Sequence, residues 1–386
     1  MLTKRPQHYR SLGRCAGIDD VIIERALATA AIQDRVGGRI PTILTLRHLA
    51  ELAGVPYGFL RGVAARRFPD PYTTFQVRKI ARPGEEGYRT ITVPPPLLMS
   101  VQRWISGNIL VHGRPHAAST AYAPGSSVVK AAERHCGCRW LIKLDARRFF
   151  ESISEIAAYR VFTTDFAFQP LVALELARIC TRLPENARTN RARRWLAKVS
   201  GYGAILDYHA AQLGHLPQGA PSSPMLANLA VREFDDEMAR TAQQHRMTYT
   251  RYADDIALST SDPAFTRSRA SDVVLAAYAA MGRHGLSPNT TKTNVVPPGA
   301  RKLVLGLLVD GDRPRLTREF KDSLRMHFHY CLMPDVGPVA HAEKRNFVSV
   351  IGLRHHLGGL VAFASQIEPE YGASLSEQMK KIVWPL

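Results

Sequence analysis

At 386 residues the chain is long enough to bury a substantial core and to form two or three subdomains. Its 51 Lys and Arg against 33 Asp and Glu leave a formal charge of +18, which favours a polyanionic partner, nucleic acid being the economical choice, although a ribosome-like scaffold or membrane-surface protein could share that charge. Five cysteines are too few, and odd in number, for a disulfide framework, and neither the Met1–Pro6 start nor any later run supplies an apolar signal core or membrane span, so a soluble, cytoplasmic protein is expected.

Residues 1 to about 70 read as helical, and Leu46–Val55 followed by Phe59 and Leu60 has the spacing of a helix-turn-helix. Phe75–Lys79 and Tyr88–Val93 alternate like strands around a turn containing Pro83-Gly84-Glu85-Glu86, which predicts a hairpin. A helix over Leu97–Leu110 should carry Gln102, Arg103 and Trp104 towards the core. His135-Cys136-Gly137-Cys138 has the wrong spacing for a zinc knuckle and no second pair, so ordinary packing is expected there. Trp140–Asp145 is a short apolar run ending in Asp, the pattern of a buried strand whose last residue emerges at the sheet edge.

Arg188, Arg191, Arg193, Arg194 and Lys198 form a basic cluster that is either a solvated face or a phosphate grip. The rigid Leu216–Pro224 loop then opens a helix whose apolar positions are Leu226, Leu229, Ala230, Phe234 and Met238. Thr248–Arg251 and Ile256–Ser259 alternate on either side of Tyr252-Ala253-Asp254-Asp255, a hairpin with two carboxylates at its tip. Adjacent like charges repel, so an Asp-Asp pair at such a tip makes sense where a divalent cation neutralises it. An isolated pair would be read as a surface turn. Gly285–Thr293 is a turn carrying Lys292, Val304–Val309 reads as a strand, and Thr317–Leu332 as a helix. That helix sets Phe320, Leu324, Phe328 and Cys331 on one side and Arg318, Lys321, Arg325 and His329 on another.

Four of these segments, the strand ending in Asp145, the Leu-Pro-Gln-Gly-Ala-Pro-Ser-Ser-Pro loop, the Tyr-Ala-Asp-Asp hairpin and the turn with Lys292, occur in an order that resembles the reverse transcriptase family, most closely the bacterial retron enzymes. The resemblance runs from about Leu46 to the C-terminus. It departs from the retron pattern at Ala131-Ala132-Glu133-Arg134-His135, where Asn-Ala-x-x-His is usual, and at Val304-Leu305-Gly306, where Val-Thr-Gly is usual.

The resemblance implies an α+β right-hand polymerase with fingers, palm and thumb and a helical N-terminal extension. Its divisions are 1–70 extension, 71–135 fingers, 136–300 palm with finger elements at about 165–215, and 301–386 thumb. It implies an RNA-directed DNA polymerase in which Asp145, Asp254, Asp255 and the carbonyl of Ala146 bind two Mg²⁺ ions, with Mn²⁺ as an alternative, spaced ~4 Å apart. Lys79 and Arg89 would reach the incoming triphosphate, Phe150 would be the steric gate against a 2′-hydroxyl, and Gln218 and Gly219 would line the nucleotide pocket. Lys292 is the candidate proton donor to pyrophosphate, with a solvent-facing lysine nearly as good a reading. Phe149 is expected in the core. Arg301, Lys302, Arg318, Lys321 and Arg325 would contact the RNA–DNA duplex.

The implied partners are dNTPs and a structured noncoding RNA serving as template and primer, with a separate effector protein in antiphage defence; no RNase H or endonuclease domain and no membrane association are expected. Two alternatives stay open: another defence reverse transcriptase with a different or no external template, and a noncatalytic RNA-binding scaffold.

Overall fold

A computed structural model describes residues 5–37, 40–68, 71–79, 87–184 and 213–385. The N-terminal part is helical, as expected, with helices Pro6–Cys15, Asp20–Gly37, Leu46–Ala53 and Tyr57–Ala64. The third starts where the Thr45 side chain accepts a bond from the His48 N–H, and ends at Gly54, whose φ of 67° is left-handed. It therefore turns sharply into the fourth, as the helix-turn-helix spacing predicts. Just beyond, the Arg66 guanidinium donates to the Glu155 carboxylate, to the Thr181 carbonyl at 2.7 Å and to its hydroxyl at 2.6 Å. Glu155 is buried and also pairs with Arg178 at 3.2 Å. This charge cluster around buried Glu155 ties the helical extension to helices Glu155–Thr164 and Pro170–Cys180.

Strands β1 (Thr73–Lys79) and β2 (Gly87–Val93) form the expected antiparallel hairpin, with Val77 opposite Arg89 and Lys79 opposite Gly87. The next helix, Pro96–Asn108, begins with proline at a position that needs no N–H. It buries Gln102, whose amide donates to the Tyr72 hydroxyl at 2.9 Å and the Ile179 carbonyl at 2.8 Å. Trp104 is half-buried, but Arg103 is exposed, contrary to the reading that carried all three inward; three consecutive residues cannot share one side of a helix.

A four-stranded antiparallel sheet follows, with β3 (Trp140–Asp145), β4 (Thr248–Tyr252), β5 (Asp255–Thr260) and β6 (Asn294–Val296) in the order β4-β5-β3-β6. Side chains alternate across it. Ile142, Leu144, Ile256 and Leu258 enter a core shared with Phe162, Phe234 and other helical residues. Leu141, Ala257 and Val296 enter a second core with Leu324, Phe328, Leu353 and Leu357. By the same alternation Lys143, Asp145 and Asp255 lie on the face of this second core, at its open end.

Two segments differ from the sequence reading. The helix after the Pro-Gln-Gly loop is two helices, Ser223–Ala230 and Arg232–Gln244, separated at Val231. The change of axis buries Leu226, Leu229, Phe234 and Met238 together while Ala230 is only half-buried. Val304–Val309 is not one strand. It is a hairpin of β7 (Leu303–Val304) and β8 (Leu307–Leu308), because Leu305 and Gly306 both take positive φ, 49° and 83°, as a two-residue primed turn requires. Helices Arg318–Leu332, Gly337–Lys344, Val350–Ile367 and Pro369–Lys380 complete the chain. The first is capped by Thr317 and buries Leu324, Phe328 and Cys331, as its stripe predicts. No described helix is long and apolar enough to cross a membrane.

Candidate active site

The two-residue turn between β4 and β5 puts Ala253 at φ 56° and brings Tyr252 opposite Asp255. A left-handed alanine is disfavoured, and here the surrounding structure fixes it. The Arg251 guanidinium, fully buried, forms a two-pronged pair with Asp235 at 2.8 and 2.7 Å and donates to the Asn228 side chain and the Ala253 carbonyl at 3.1 and 3.2 Å. Tyr249 donates to Asp235 at 2.6 Å. Below the turn, buried His135 bridges Thr250 and Ser259 at 2.7 Å on each ring nitrogen, and burial lowers its pKa to about 4, so the ring is neutral. This supports the packing reading of the His-Cys-Gly-Cys segment, since the ring nitrogens are already used between strands.

Asp145, at the end of β3, is the register partner of Asp255, at the start of β5. Asp254 is fixed beside them by the Ala146 N–H, which donates to its carbonyl at 3.0 Å. Asp145 is buried, Asp254 half-buried and Asp255 exposed at the sheet end. The turn expected around Lys292 closes over Asp145. The Asn289 N–H donates to the Asp145 carbonyl and the Asn289 amide to its carboxylate, each at 2.8 Å, and the Lys292 ammonium donates to the other carboxylate oxygen at 2.7 Å.

The electrostatics follow from that crowding. The Asp255 carboxyl is raised above its ordinary value by the water that neighbouring protein displaces and by the charges of Asp254 and Asp145, against opposition from Lys143 and Lys292. Partial burial acts to lower the Lys292 pKa, but its bond to Asp145 and the three carboxylate charges outweigh this and raise it, so the ammonium is protonated at neutral pH.

Carboxylate oxygens gathered at one sheet end, one of them on a carboxyl raised by displaced water and by its acidic neighbours, fit a hard divalent cation in donor type. Among the described residues, no three acidic, His or Cys side chains enclose a single metal position. Asp145 turns instead to Lys292 and Asn289.

The aromatic residues lie beside this end of the sheet. Phe149 is buried beneath the Arg251 guanidinium, 5.6 Å from the ring centre, as expected for a core residue. Phe150 is half-buried, with ring centres 5.5 Å from Phe149 and 6.3 Å from Tyr122. Gln218 is half-buried, and its carbonyl accepts from the Thr92 N–H at 2.7 Å. Gly219 has φ 122°, and a Cβ there would stand 2.8 Å from the Thr92 carbonyl oxygen, so the close approach it permits is to β2. The side chains of Lys79 and Arg89, and all of Arg188, Arg191, Arg193, Arg194 and Lys198, lie outside the described residues.

The expected duplex contacts divide. Arg301 is exposed and pairs with Glu319 at 2.7 Å. Arg318 and Arg325 are exposed and share Asp322 at 3.4 and 2.8 Å. Lys302 departs from the expectation. It is buried, donates to the Ala300 carbonyl at 2.9 Å and lies 3.7 Å from Asp310, because the chain folds into the β7–β8 hairpin around it. Lys321 is half-buried, bonded to Glu368 and set over the Tyr371 ring. Sequence reasoning missed Asn289, Lys143 and Tyr122. Asn289 had a readable signal, lying three residues before Lys292 in a turn rich in hydrogen-bonding side chains; the other two depend on register and on a positive φ.

The reverse transcriptase (RNA-dependent DNA polymerase) family model matches residues 78–309. The retron Mx65 reverse transcriptase of Myxococcus xanthus is 30% identical over 88% of this chain and 72% of its own length. The retron Ec86 reverse transcriptase of Escherichia coli is 26% identical over 75% of this chain and 79% of its own, and the retron Ec83 enzyme of the same species 27% identical over 81% and 91%. Among solved structures, Candida albicans telomerase in complex with a telomeric RNA fragment aligns over 84% of this chain and 58% of its own, with 12% identity and a TM-score of 0.41, too slight a likeness to bear on function. With more than half of its length matched by the family model and a 30%-identical relative aligned over 88% of it, the chain belongs to the reverse transcriptase family and is an RNA-directed DNA polymerase of the retron type.

Proposed function

We propose that Asp145, Asp254 and Asp255 are the metal-binding and catalytic carboxylates of this polymerase, joined by the carbonyl of Ala146. The observation that carries the reading is the register pairing of Asp145 with Asp255 on adjacent strands, with Asp254 in the turn beside them. Two Mg²⁺ ions, when bound there, would lower the pKa of the primer 3′-hydroxyl and neutralise the triphosphate.

The chain's own residues supply the rest. Asn289 holds the Asp145 carboxylate from one side, leaving its other oxygen to exchange Lys292 for a stronger cation. The Lys292 Nζ carries a proton that it can give to the leaving pyrophosphate. Phe150, half-buried beside Phe149 and Tyr122, would serve as the ring that excludes a 2′-hydroxyl, favouring dNTPs. Gln218 and Gly219 line the pocket on the side closed by β2, and Lys79 and Arg89 bind the triphosphate from that hairpin.

The division into a helical extension to residue 70, fingers to 135, palm to 300 and thumb beyond belongs to the same proposal; the second core, which gathers the C-terminal helices on one face of the sheet, supports its last boundary, whereas the first core runs through the other three parts. Arg301, Arg318 and Arg325 remain the thumb contacts to duplex phosphate. The template and primer would be a cognate structured noncoding RNA, the product a short DNA, and the setting cytoplasmic antiphage defence with an effector protein; this part rests on the relatives alone.

The test is the double variant Asp254→Asn, Asp255→Asn. It removes ligand charge with little change of volume, so DNA synthesis should vanish while RNA binding and the thermal transition persist. Primer extension near the wild-type rate would sink the assignment.

A further inference from the structure

The segment before the helix Val128–Glu133 is held against β4 by a dense set of bonds. The Arg251 N–H donates to the Ala118 carbonyl at 2.9 Å, and the Thr120 N–H donates back to the Arg251 carbonyl at 2.8 Å. Asn228, fully buried, accepts from the Ser119 hydroxyl at 2.9 Å and donates to the Ala121 carbonyl at 2.7 Å. Its side-chain oxygen also receives the Arg251 guanidinium. Residues 118–121 are thus fixed by the same polar network that holds the carboxylate hairpin.

What this rigid segment presents is Tyr122. Its φ is 62°, a conformation that a bulky side chain adopts at a cost of about 1–3 kcal/mol and keeps only where the surroundings enforce it. The residue is 43% exposed, yet its ring stands 6.3 Å from the Phe150 ring centre and 6.3 Å from that of Tyr252, tilted by 47° and 44°. Phe150 therefore has Phe149 and Tyr122 as ring neighbours. Phe149 is locked in the core, whereas Tyr122 is the open one, beside the turn that carries Asp254 and Asp255.

A small ring discriminates against a hydroxyl only if it cannot swing away from it. We propose that Tyr122 is a specificity-determining residue of the polymerase: a fixed aromatic buttress that holds Phe150 in position against the sugar. The proposal rests on the reading of Phe150 as the sugar gate, and it assigns Tyr122 a positioning role that depends on its ring and not on its hydroxyl.

The test compares Tyr122→Phe, Tyr122→Gly, Phe150→Ala and the double variant Tyr122→Gly, Phe150→Ala, reading the ratio of kcat/KM for a dNTP to that for the matching NTP on an RNA template. Glycine suits the positive φ, so the fold should survive loss of the ring, and the thermal midpoint verifies this. Phe150→Ala should lower the ratio by roughly 10²-fold, Tyr122→Gly by about tenfold with the dNTP kcat within a few-fold of wild type, and Tyr122→Phe should leave it unchanged. The double variant should fall no further than Phe150→Ala alone, because Tyr122 acts through Phe150.

A wild-type ratio in Tyr122→Gly beside a collapsed ratio in Phe150→Ala would overturn the buttress and leave the gate standing. An additive double variant, or a ratio lost in Tyr122→Phe, would also overturn it. An unchanged ratio in Phe150→Ala would remove the gate itself and the proposal with it.

Discussion

The carboxylate of Asp145 is held at 2.7 Å by the ammonium of Lys292, 147 residues away in sequence. One of the proposed metal ligands thus carries an internal cation, and the proposed acid is stored on the residue it would leave when the site is loaded.

Replacing Lys292 with Ala removes both functions. The expected result is a fall of about 10²-fold in the single-turnover rate at saturating dNTP, the size typical of losing a general acid, with little change in dNTP affinity. Rapid-quench incorporation checks it; a wild-type rate would mean that the leaving pyrophosphate takes its proton elsewhere.

Asp255 gives a pH-dependent stability signature. Its carboxyl is raised in the folded protein, so the folded state holds its proton to higher pH than the unfolded chain does, and its contribution to stability falls as pH rises from the unfolded to the folded value. The cost is fully present above the folded value. Asp255→Asn, measured in chelator, should therefore melt at a higher temperature than wild type at pH 7, and the gap should close below the unfolded carboxyl value.

The buried Arg251–Asp235 pair holds the hairpin in place. Asp235→Ala leaves a guanidinium in the core without its carboxylate and should cost about 3–5 kcal/mol, read from urea unfolding. Should stability stay within about 1 kcal/mol of wild type, the pair is not what fixes the turn.

For the C-terminal helices the geometry separates two kinds of lysine and arginine. Arg318 and Arg325 are exposed, so replacing both with Ala should reduce the slope of log affinity against log salt, for an RNA–DNA duplex, by up to about two. Lys321→Ala should leave that slope alone and lower the melting temperature, since Lys321 is bonded to Glu368, which also accepts the Leu316 N–H at 2.9 Å. A slope change confined to Lys321→Ala would reverse the assignment.

Much of the site was legible because its signals are local. An apolar run ending in Asp145, a carboxylate pair between alternating segments and a Pro/Gly loop each have a short-range physical reason. The β3 and β4–β5 boundaries followed, because period-two burial on a two-sided core leaves little freedom of register. The helix break at Val231 and the turn at Leu305-Gly306 were not legible, since each depends on which faces must reach a shared core and not on local propensity. Lys302 and Lys321 show the same limit. A lysine on a basic chain looks solvated until the fold supplies Asp310 or Glu368. Tyr122 was hidden for another reason: nothing in its neighbours' identities announces a left-handed tyrosine.

The strand order β4-β5-β3-β6 also has a consequence for how the protein is made. β3 is the inner strand that emerges from the ribosome first, and both its neighbours, beginning at Asp255 and Asn294, are translated more than a hundred residues later. At about 5–20 residues per second, Trp140–Asp145 waits several seconds or more with both edges open and its apolar residues unpaired. Nascent chains stalled in that interval should be chaperone clients and the main source of insoluble product, and slowing translation between residues 146 and 254 should lower the soluble yield without altering any residue of the finished enzyme.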